Sequence, residues 1–279
     1  MVDIKYTQNL YTNKQNLQRI INNIHWNSFD TVIDIGAGKG IITKELVKHC
    51  NNVIAYELDS RYFDILKDLF TDNSNVVLKN KDFLTSTLPK KEYKVFANIP
   101  FALTSDIVNK ITEINSKLIE AYLFVQKETS ERYMGLPNNT QIATILSSMY
   151  DLYVIENFER KDFKPIPNVD IVLLRITKKE KSEEEFRLYR DFVTYIFNQM
   201  NSNVLDTLKK LFTFQQLKHI KEQLKKNRYT VPSNIPSKYY LEIFQYFKTN
   251  GLDYRRKVEG YYIKHIHQHL RREKVNRTR

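Results

Sequence analysis

Residues 31–57 read TVIDIGAGKGIITKELVKHCNNVIAYE, and this stretch decides the fold. It opens with a short apolar run of the β type at 31–35, passes through three closely spaced glycines, and continues with the apolar spacing of a helix at 41–47. A second apolar run at 52–56 ends at Glu57. The order strand, Gly-rich turn, helix and strand is typical of a doubly wound α/β sheet.

The chain up to residue 176 continues this alternation of helices and strands. Helical spacing recurs at 13–24, 61–70, 104–114 and 142–149, and apolar strand-like runs recur at 76–78, 95–98 and 118–125. Two further β runs, 152–155 and 169–176, have no helix between them, so we expect them to pair antiparallel at the sheet edge. The pattern predicts a mostly parallel sheet covered by helices.

The three glycines, Gly36, Gly38 and Gly40, are half of the six in the chain. A dinucleotide fingerprint needs its third glycine one position later, where Ile41 stands, so a pyrophosphate site is disfavoured. Lys39 lacks the Gly-Lys-Ser/Thr context of a phosphate-binding loop. We interpret the turn as a place where the backbone approaches a cofactor whose tail is an amino acid.

Two acids follow at informative positions. Glu57 lies 21 residues after Gly36, where doubly wound folds place the acid that binds ribose hydroxyls. The alternative is a solvated strand-end acid such as Asp59, the predicted N-cap of the next helix. Asp82 comes just after the strand at 76–78 and is suited to accept the amino group of an adenine ring. Taken alone, it is an ordinary loop aspartate.

Residues 95–105, VFANIPFALTS, form the second informative stretch. A strand ends at Asn98, and Pro100 fixes the turn and keeps Ile99 extended. The Asn98 amide oxygen, with a backbone carbonyl, is suited to accept both hydrogens of an exocyclic amine, while the Phe101 ring stacks on a base swung out of its helix. The alternative is an Asn-Pro turn with a core aromatic.

Composition sets the frame for these motifs. The chain has 279 residues. It contains no apolar run close to the roughly 20 residues of a membrane span, and its N-terminus lacks an apolar signal core. These two features predict a soluble, cytoplasmic protein. Its single cysteine, Cys50, excludes an internal disulfide and a thiolate metal cluster. With 44 basic and 32 acidic residues the net charge is +12, which suits RNA or DNA, or serves solubility alone.

As an ordered set, the motifs resemble the rRNA adenine N(6)-methyltransferases, a superfamily of Erm-type macrolide-resistance enzymes and small-subunit dimethyladenosine transferases. The motifs are Gln8-Asn9, Asp34 to Gly40, Glu57, Asp82, Asn98-Ile-Pro-Phe101 and Phe163-x-Pro-x-Pro-x-Val169. The likeness covers nearly the whole chain. It implies the class I S-adenosylmethionine-dependent methyltransferase fold, a Rossmann-like, seven-stranded, mostly parallel sheet with a small C-terminal all-helical domain.

The resemblance also implies a role for each matching residue. The cofactor is S-adenosylmethionine, and its binding residues are Gln8, Asn9, Tyr11, Gly36, Gly38, Glu57, Asp82 and Asn98. Among these, Asn9 and Tyr11 contact the methionine end, Glu57 the ribose and Asp82 the adenine. The target base is held by Asn98, Ile99, Pro100, Phe101 and Phe163, and catalysis falls to Asn98 and Phe101.

Phe163 opens a Pro-stiffened loop, FKPIPNVD at 163–170. We interpret Phe163 as an exposed aromatic that grips a base; the alternative is that the loop is a simple connector. Leu10 and Ile171 depart from the residues that the family more often has there. Phe101 followed by Ala-Leu-Thr-Ser resembles some Erm-type enzymes, so we prefer 23S rRNA as substrate, and with it macrolide, lincosamide and streptogramin resistance.

Three alternatives remain: a 16S rRNA dimethyladenosine transferase, a DNA or protein amide methyltransferase, and a non-catalytic RNA-binding assembly or transcription factor on the same fold. The preferred interpretation needs ribosomal RNA as its partner, without a membrane or a metal, and is compatible with a monomer. Methyl transfer to an amine by this route requires neither a metal nor a strongly perturbed base.

A charged segment at 177–185 has no core former, and helical spacing resumes beyond it. We therefore predict a catalytic domain at 1–177, a helical RNA-binding domain at 178–254 and a basic tail at 255–279. The tail holds nine basic and two acidic residues, +7 of the net charge, and is either solvated or bound to RNA phosphates. Its three histidines, His265, His267 and His269, lack acidic or thiol partners, which disfavours a metal site.

Overall fold

The structure is a computed structural model that describes residues 9–180, 182–199 and 203–267. Contacts divide the chain into two units: an α/β unit, Met1–Ser130 with Asp151–Lys178, and a helical unit, Glu131–Tyr150 with Lys179–Arg279. The division after Lys178 is close to the predicted boundary at 177. The predicted boundary nevertheless places 131–150 in the wrong unit, because the helix within this segment packs on helices of the second unit.

Nine strands are present in the described residues. They are β1 (Leu10–Tyr11), β2 (Thr31–Ile35), β3 (Asn52–Tyr56), β4 (Val76–Lys79), β5 (Tyr93–Asn98), β6 (Leu118–Gln126), β7 (Tyr150–Phe158), β8 (Phe163–Lys164) and β9 (Ile171–Lys178). Seven of them form one sheet in the order β4-β3-β2-β5-β6-β9-β7, and β1 pairs with β8 in a separate antiparallel ribbon.

The large sheet is mostly parallel, as predicted. β2 runs parallel to β3 and β5, β3 parallel to β4, and β5 parallel to β6, whereas β9 runs antiparallel to β6. β7 and β9, the two strands without an intervening helix, are neighbours at the edge. The strand order reverses between β2 and β5, and in such sheets ligands bind beyond the carboxyl ends of the strands at this switch point. Gly36 follows β2 and Asn98 ends β5, so both lie at the switch point.

Eleven helices are assigned in the described residues. They are α1 (Lys14–Asn22), α2 (Ile41–Leu46), α3 (Ser60–Leu69), α4 (Thr104–Ile111), α5 (Lys127–Met134), α6 (Gln141–Met149), α7 (Glu183–Phe197), α8 (Val204–Leu208), α9 (Phe214–Lys226), α10 (Ser237–Asn250) and α11 (Arg255–Val258). The five whose positions the sequence predicted, α1, α2, α3, α4 and α6, begin within one residue of those positions and end within three. In the helical unit α6 packs against α7 and α10. Residues 261–267 are also helical, and the last residues of the predicted tail, 268–279, lie outside the described part of the chain.

The core of the α/β unit follows from strand composition. All six residues of β5 are buried, as expected for a central parallel strand covered on both faces. α1 buries Leu17, Ile20 and Ile21, the apolar face that its spacing predicts. Among the described helices, none is both long and apolar enough to cross a membrane.

Candidate active site

The Gly-rich turn links the end of β2 to the start of α2. Gly36, Gly38 and Gly40 have φ angles of +73°, +54° and +77°, a region that favours glycine. A Cβ atom at Gly40 would lie 2.9 Å from a Leu66 side-chain carbon on α3. The Gly36 amide donates to the Tyr56 carbonyl at the end of β3, at 2.8 Å. Conformation and close packing together therefore require this glycine pattern.

Glu57 joins the Gly-rich turn to the end of β3. Its Oε2 accepts from the Gly38 amide at 2.7 Å, and its Oε1 accepts from the Asp59 amide at 2.8 Å. Burial raises the pKa of Glu57, and hydrogen bonds from the backbone amides of Asp59, Gly38 and Leu58 oppose this shift. A carboxylate has about four acceptor positions, so acceptor capacity remains for a hydroxyl of a ligand. Glu57 thus shapes the turn, and its role in binding ribose stays a prediction.

A cavity of about 280 Å³ lies at the carboxyl ends of β2, β3 and β4. Its lining includes Gly36, Glu57, Asp82, Phe83, Pro100 and Ile107. The structure thus brings Gly36 together with Glu57 and Asp82, the residues expected to bind the ribose and the adenine of the cofactor, whereas Asn9 and Tyr11, expected at the methionine end, are not in this lining. The apolar side chains of the lining suit a flat ring, and the carboxylates of Glu57 and Asp82 suit hydroxyl and amino groups. Binding of a nucleoside in this pocket stays a prediction.

Asp82 begins the loop that forms one wall of this cavity. Its Oδ1 accepts from the Leu84 amide at 2.8 Å and caps a 3₁₀ turn at Phe83–Thr85. The other carboxylate oxygen has no partner among the described residues, so it is available to an amino group. Lys110 on α4 donates from Nζ to the carbonyls of Leu84, at 3.0 Å, and Ser86, at 2.6 Å. This cation holds the Asp82 loop against α4.

Asn98 ends β5 and is 8% exposed. Its Nδ2 donates to the Asn9 carbonyl at 2.7 Å, and Asn9 Nδ2 in turn donates to the Pro165 carbonyl at 2.7 Å. These bonds orient the Asn98 amide and leave its Oδ1 without a partner in the described part of the chain. The oxygen that the predicted chemistry needs as an acceptor is therefore free.

The residues after Asn98 divide into a buried pair and a half-buried ring. Ile99 and Pro100 are buried, so they fix the backbone of the turn. Phe101 begins a 3₁₀ turn at Phe101–Leu103 and packs one side against the core while the rest of the ring remains accessible. The accessible part is suited to stacking on a base, and this role stays a prediction.

The interpretation of Phe163 as an exposed aromatic is wrong. Its side chain is fully buried, with its ring centroid 5.1 Å from that of Tyr11 and 5.9 Å from that of Phe158. The cause is the β1–β8 pairing, which sets Phe163 opposite Tyr11 and turns it into the core, whereas Lys164 is exposed. A ring in this position cannot grip a base.

Tyr11 belongs to the same aromatic cluster. It is 3% exposed, and its hydroxyl accepts from Asn16 Nδ2 at 3.1 Å. Burial raises the pKa of Tyr11 to about 12. The structure gives this ring a packing role, and its contact with the cofactor stays a prediction. Gln8, the other expected contact in this segment, lies outside the described residues.

Asp34 is a buried acid whose role the sequence did not reveal. Its Oδ2 accepts from the Thr43 hydroxyl at 2.6 Å, and its Oδ1 has no partner within the described ranges. Burial raises the pKa of Asp34 from 3.8 to about 7. The available signal was a lone carboxylate inside the apolar run of β2. The described residues contain no group of three or more His, Cys, Asp or Glu placed to hold a metal ion.

Comparisons with known proteins agree with this geometry. The chain is 30% identical over 247 residues to an rRNA adenine N-6-methyltransferase of Limosilactobacillus reuteri, covering 88% of this chain and 97% of the relative. It is 35% identical over 193 residues to ribosomal RNA small subunit methyltransferase A of Mycoplasmopsis pulmonis, covering 67% of this chain and 75% of that protein.

Among solved structures, the 23S rRNA methyltransferase ErmE has the same fold, with a TM-score of 0.76 at 21% identity over 86% of this chain and 100% of that one. The sequence profile of the ribosomal RNA adenine dimethylases matches residues 2–249. This match spans both the strand and the helical regions. The chain therefore belongs to the ribosomal RNA adenine dimethylase family, whose members are S-adenosylmethionine-dependent enzymes.

Proposed function

We propose that this protein transfers a methyl group from S-adenosylmethionine to the N(6) amine of an adenine in 23S rRNA. The observation that carries the proposal is the Asn98 amide at the end of β5, whose nitrogen donates to the Asn9 carbonyl and whose oxygen has no partner among the residues that the structure describes. An acceptor held in this way needs little reorganisation during the reaction.

The residues of the cavity fit the cofactor. Glu57 keeps free acceptor positions for ribose hydroxyls, and the free carboxylate oxygen of Asp82 suits the adenine amino group. Gly36 presents backbone without a side chain where the amino-acid end would approach. When bound, S-adenosylmethionine supplies an electrophilic methyl group on a positively charged sulfur.

The adenine amine is a weak nucleophile because its lone pair is delocalised into the ring. Asn98 Oδ1 accepts an amine hydrogen and favours localisation of the lone pair on nitrogen, while Phe101 stacks on the flipped base and fixes its plane. Bound S-adenosylmethionine would supply the methyl group that becomes bonded to N(6), its carbon–sulfur bond being the one lost, and the extra proton on nitrogen would leave to water. Positioning and electrostatics account for the acceleration.

The turn Asn98 to Ser105 supports 23S rRNA over 16S rRNA, because it resembles that of Erm-type enzymes. Resistance to macrolides, lincosamides and streptogramins would follow. The second candidate is 16S rRNA dimethylation, which the 35% identity to the Mycoplasmopsis pulmonis enzyme favours. We also propose that the protein acts as a monomer, in the cytoplasm where ribosomes are assembled.

A methyl-mapping experiment separates these candidates. Protein-free 23S rRNA, protein-free 16S rRNA, DNA and ribosomal protein are each incubated with the enzyme and methyl-labelled S-adenosylmethionine, and labelled adenines in RNA are located by reverse transcription and mass spectrometry. We expect N(6)-methyladenine in 23S rRNA. Label confined to 16S rRNA would support the second candidate, and label in DNA or protein alone would contradict both.

A further inference from the structure

α9 presents a basic face that has no role in the site described above. Its other face is buried through Leu217, Ile220 and Leu224. The helix is held at its start by a capping box between Thr213 and Gln216, and Gln216 Nε2 also donates to the Asn250 carbonyl at 2.7 Å. The exposed face is therefore carried on a firmly anchored helix.

Four exposed residues form one row on this face. They are Phe214, Lys218, Lys221 and Lys225, at positions i, i+4, i+7 and i+11 of a 13-residue helix. Residues at this spacing lie on one side of a helix. At 1.5 Å per residue the row is roughly 16 Å long, and its three ammonium groups follow one another along roughly 10 Å. We call these four residues the α9 row.

The lysines of the α9 row are not neutralised by neighbouring acids. Several exposed lysines elsewhere are paired, including Lys48 with Glu45 and Lys209 with Asp206. No ion pair of the described residues includes a lysine of the row. α9 has a single acidic residue, Glu222, which is exposed and lies one turn from Lys218 and Lys225 without an ion pair to either in the described residues. Three lysines beside one acid leave a net positive row that is complementary to a polyanion.

Phe214 adds a second kind of contact. Its side chain is 87% exposed at the beginning of the row. Isolated exposed aromatics are common and need no explanation. Here the ring continues a line of lysines, and an aromatic face beside phosphate-binding cations is how proteins bind unpaired nucleotides.

We infer that the α9 row docks on the rRNA substrate, with its lysines on consecutive phosphates and Phe214 stacked on an unpaired base next to them. This inference rests on the proposed function, because it takes rRNA as the substrate. It assigns an interaction surface to the helical unit that is separate from the methyl-transfer site.

The first test is the salt dependence of binding to a 23S rRNA fragment. Each lost phosphate contact reduces the slope of log K against log salt by about 0.7 to 0.9. The triple variant Lys218→Gln, Lys221→Gln and Lys225→Gln should therefore lower the slope by about 2 to 3 and weaken binding at least roughly tenfold at 0.1 M salt. Its affinity for S-adenosylmethionine, measured by calorimetry, should equal that of the parent.

The matched control removes the same charge from the α/β unit through Lys44→Gln, Lys90→Gln and Lys91→Gln, all exposed positions without an ion pair among the described residues. We expect a distinctly smaller change in slope for this control. An equal change would show a general effect of net charge and overturn the assignment. A parent-like slope in the α9 triple variant would overturn it as well.

Phe214 is tested with two RNAs. Phe214→Ala should weaken binding to a fragment with unpaired nucleotides several-fold, leave binding to a fully paired duplex unchanged, and keep the salt slope of the parent. Equal losses of affinity on both RNAs would contradict stacking.

The proposed function fails separately, since it requires that the parent methylates 23S rRNA. If the parent methylates 23S rRNA while the triple variant binds RNA like the parent, the assignment of the α9 row is disproved and the proposed function is not.

Discussion

Asn98 donates from its side-chain nitrogen to the backbone carbonyl of Asn9 at 2.7 Å. This bond decides which end of the amide is free, because an amide whose nitrogen is engaged presents its oxygen. Asn9 was expected to contact the cofactor, and in the structure its backbone also orients the residue assigned to catalysis. The side chain of Asn9 is held in turn by the Pro165 carbonyl.

Replacing Asn98 by Ala should abolish most turnover while RNA binding remains. Loss of one preorganised group at a reacting centre typically lowers the rate by about 10² to 10³. RNA affinity should stay near that of the parent, because basic residues carry most of it. Single-turnover methylation and filter binding of a 23S rRNA fragment measure the two effects. A parent-like rate for Asn98→Ala would remove Asn98 from the mechanism.

Methylation should depend on the presence of an aromatic ring at position 101. Phe101→Ala removes a stacking face worth about 1 to 3 kcal/mol per base, so methylation should fall while S-adenosylmethionine affinity holds. Phe101→Tyr keeps the ring and should retain most activity. The comparison is made by single-turnover rates at limiting RNA. Equal rates for the Ala and Tyr variants would show that the ring does not hold the base.

Glu57→Ala should act on two properties at once. We expect weaker S-adenosylmethionine binding by about 1 to 3 kcal/mol, because hydrogen bonds to the ribose are lost. We also expect a lower melting temperature without ligand, because the amides of Gly38 and Asp59 lose their acceptor. Calorimetry gives the first effect and thermal unfolding the second. A lower melting temperature with unchanged affinity would leave Glu57 a purely structural residue.

Lys110 should affect cofactor binding without touching the cofactor. Lys110→Met removes the cation that holds the Leu84 and Ser86 carbonyls, so the Asp82 loop should loosen. We expect the KM for S-adenosylmethionine to rise, with kcat and the KM for RNA unchanged, and Lys110→Arg to restore part of the loss. Lys67→Met on α3 is the control. A fall in kcat alone would contradict this role.

Asp34 should make stability depend on pH. Burial raises its pKa from 3.8 to about 7, so between these values the folded protein keeps a proton that the unfolded chain has released. Its contribution to the free energy of unfolding is therefore complete below about pH 4 and is lost as the pH rises through 7. The total change is on the order of 4 kcal/mol.

Urea unfolding of the parent and of Asp34→Asn at pH 5, 6, 7 and 8 tests this expectation. The parent should lose stability across the series, and the variant should lose less, since the amide never becomes charged. Asp72→Asn, at an exposed position, serves as the control. Parallel curves for the parent and Asp34→Asn would contradict the assignment.

The sequence was sufficient where a local pattern determines the structure. The glycine spacing predicted the turn after β2, and apolar periodicity predicted α1 and the central strands. The position of Glu57 predicted that it reaches the same pocket as Gly36, and the structure places both in its lining. These features depend on residues within one or two elements of each other, so their signals are readable in the chain.

Long-range pairing determined what the sequence did not show. The direction of Phe163 depends on its register with Tyr11, more than 150 residues away, and a Pro-rich motif carries no information on that register. The helix at 141–149 has an apolar face that suits either unit, so its partner was not predictable from spacing. Lys110 donates to backbone carbonyls, and because every residue has a carbonyl, the sequence does not show which ones this lysine contacts.

The chain of bonds from Asn98 to Asn9 to Pro165 also bears on folding. It joins residues 89 and 156 positions apart, whereas the cavity is lined by residues between Ile35 and Ile107. Contacts of high sequence separation form late, because they close the longest loops. During synthesis, the cofactor pocket has all its residues well before Pro165 emerges. A nascent or truncated chain that ends before Pro165 therefore has the pocket and the Asn98–Asn9 bond but lacks the carbonyl that holds the Asn9 side chain, so the support behind the Asn98 amide is completed last.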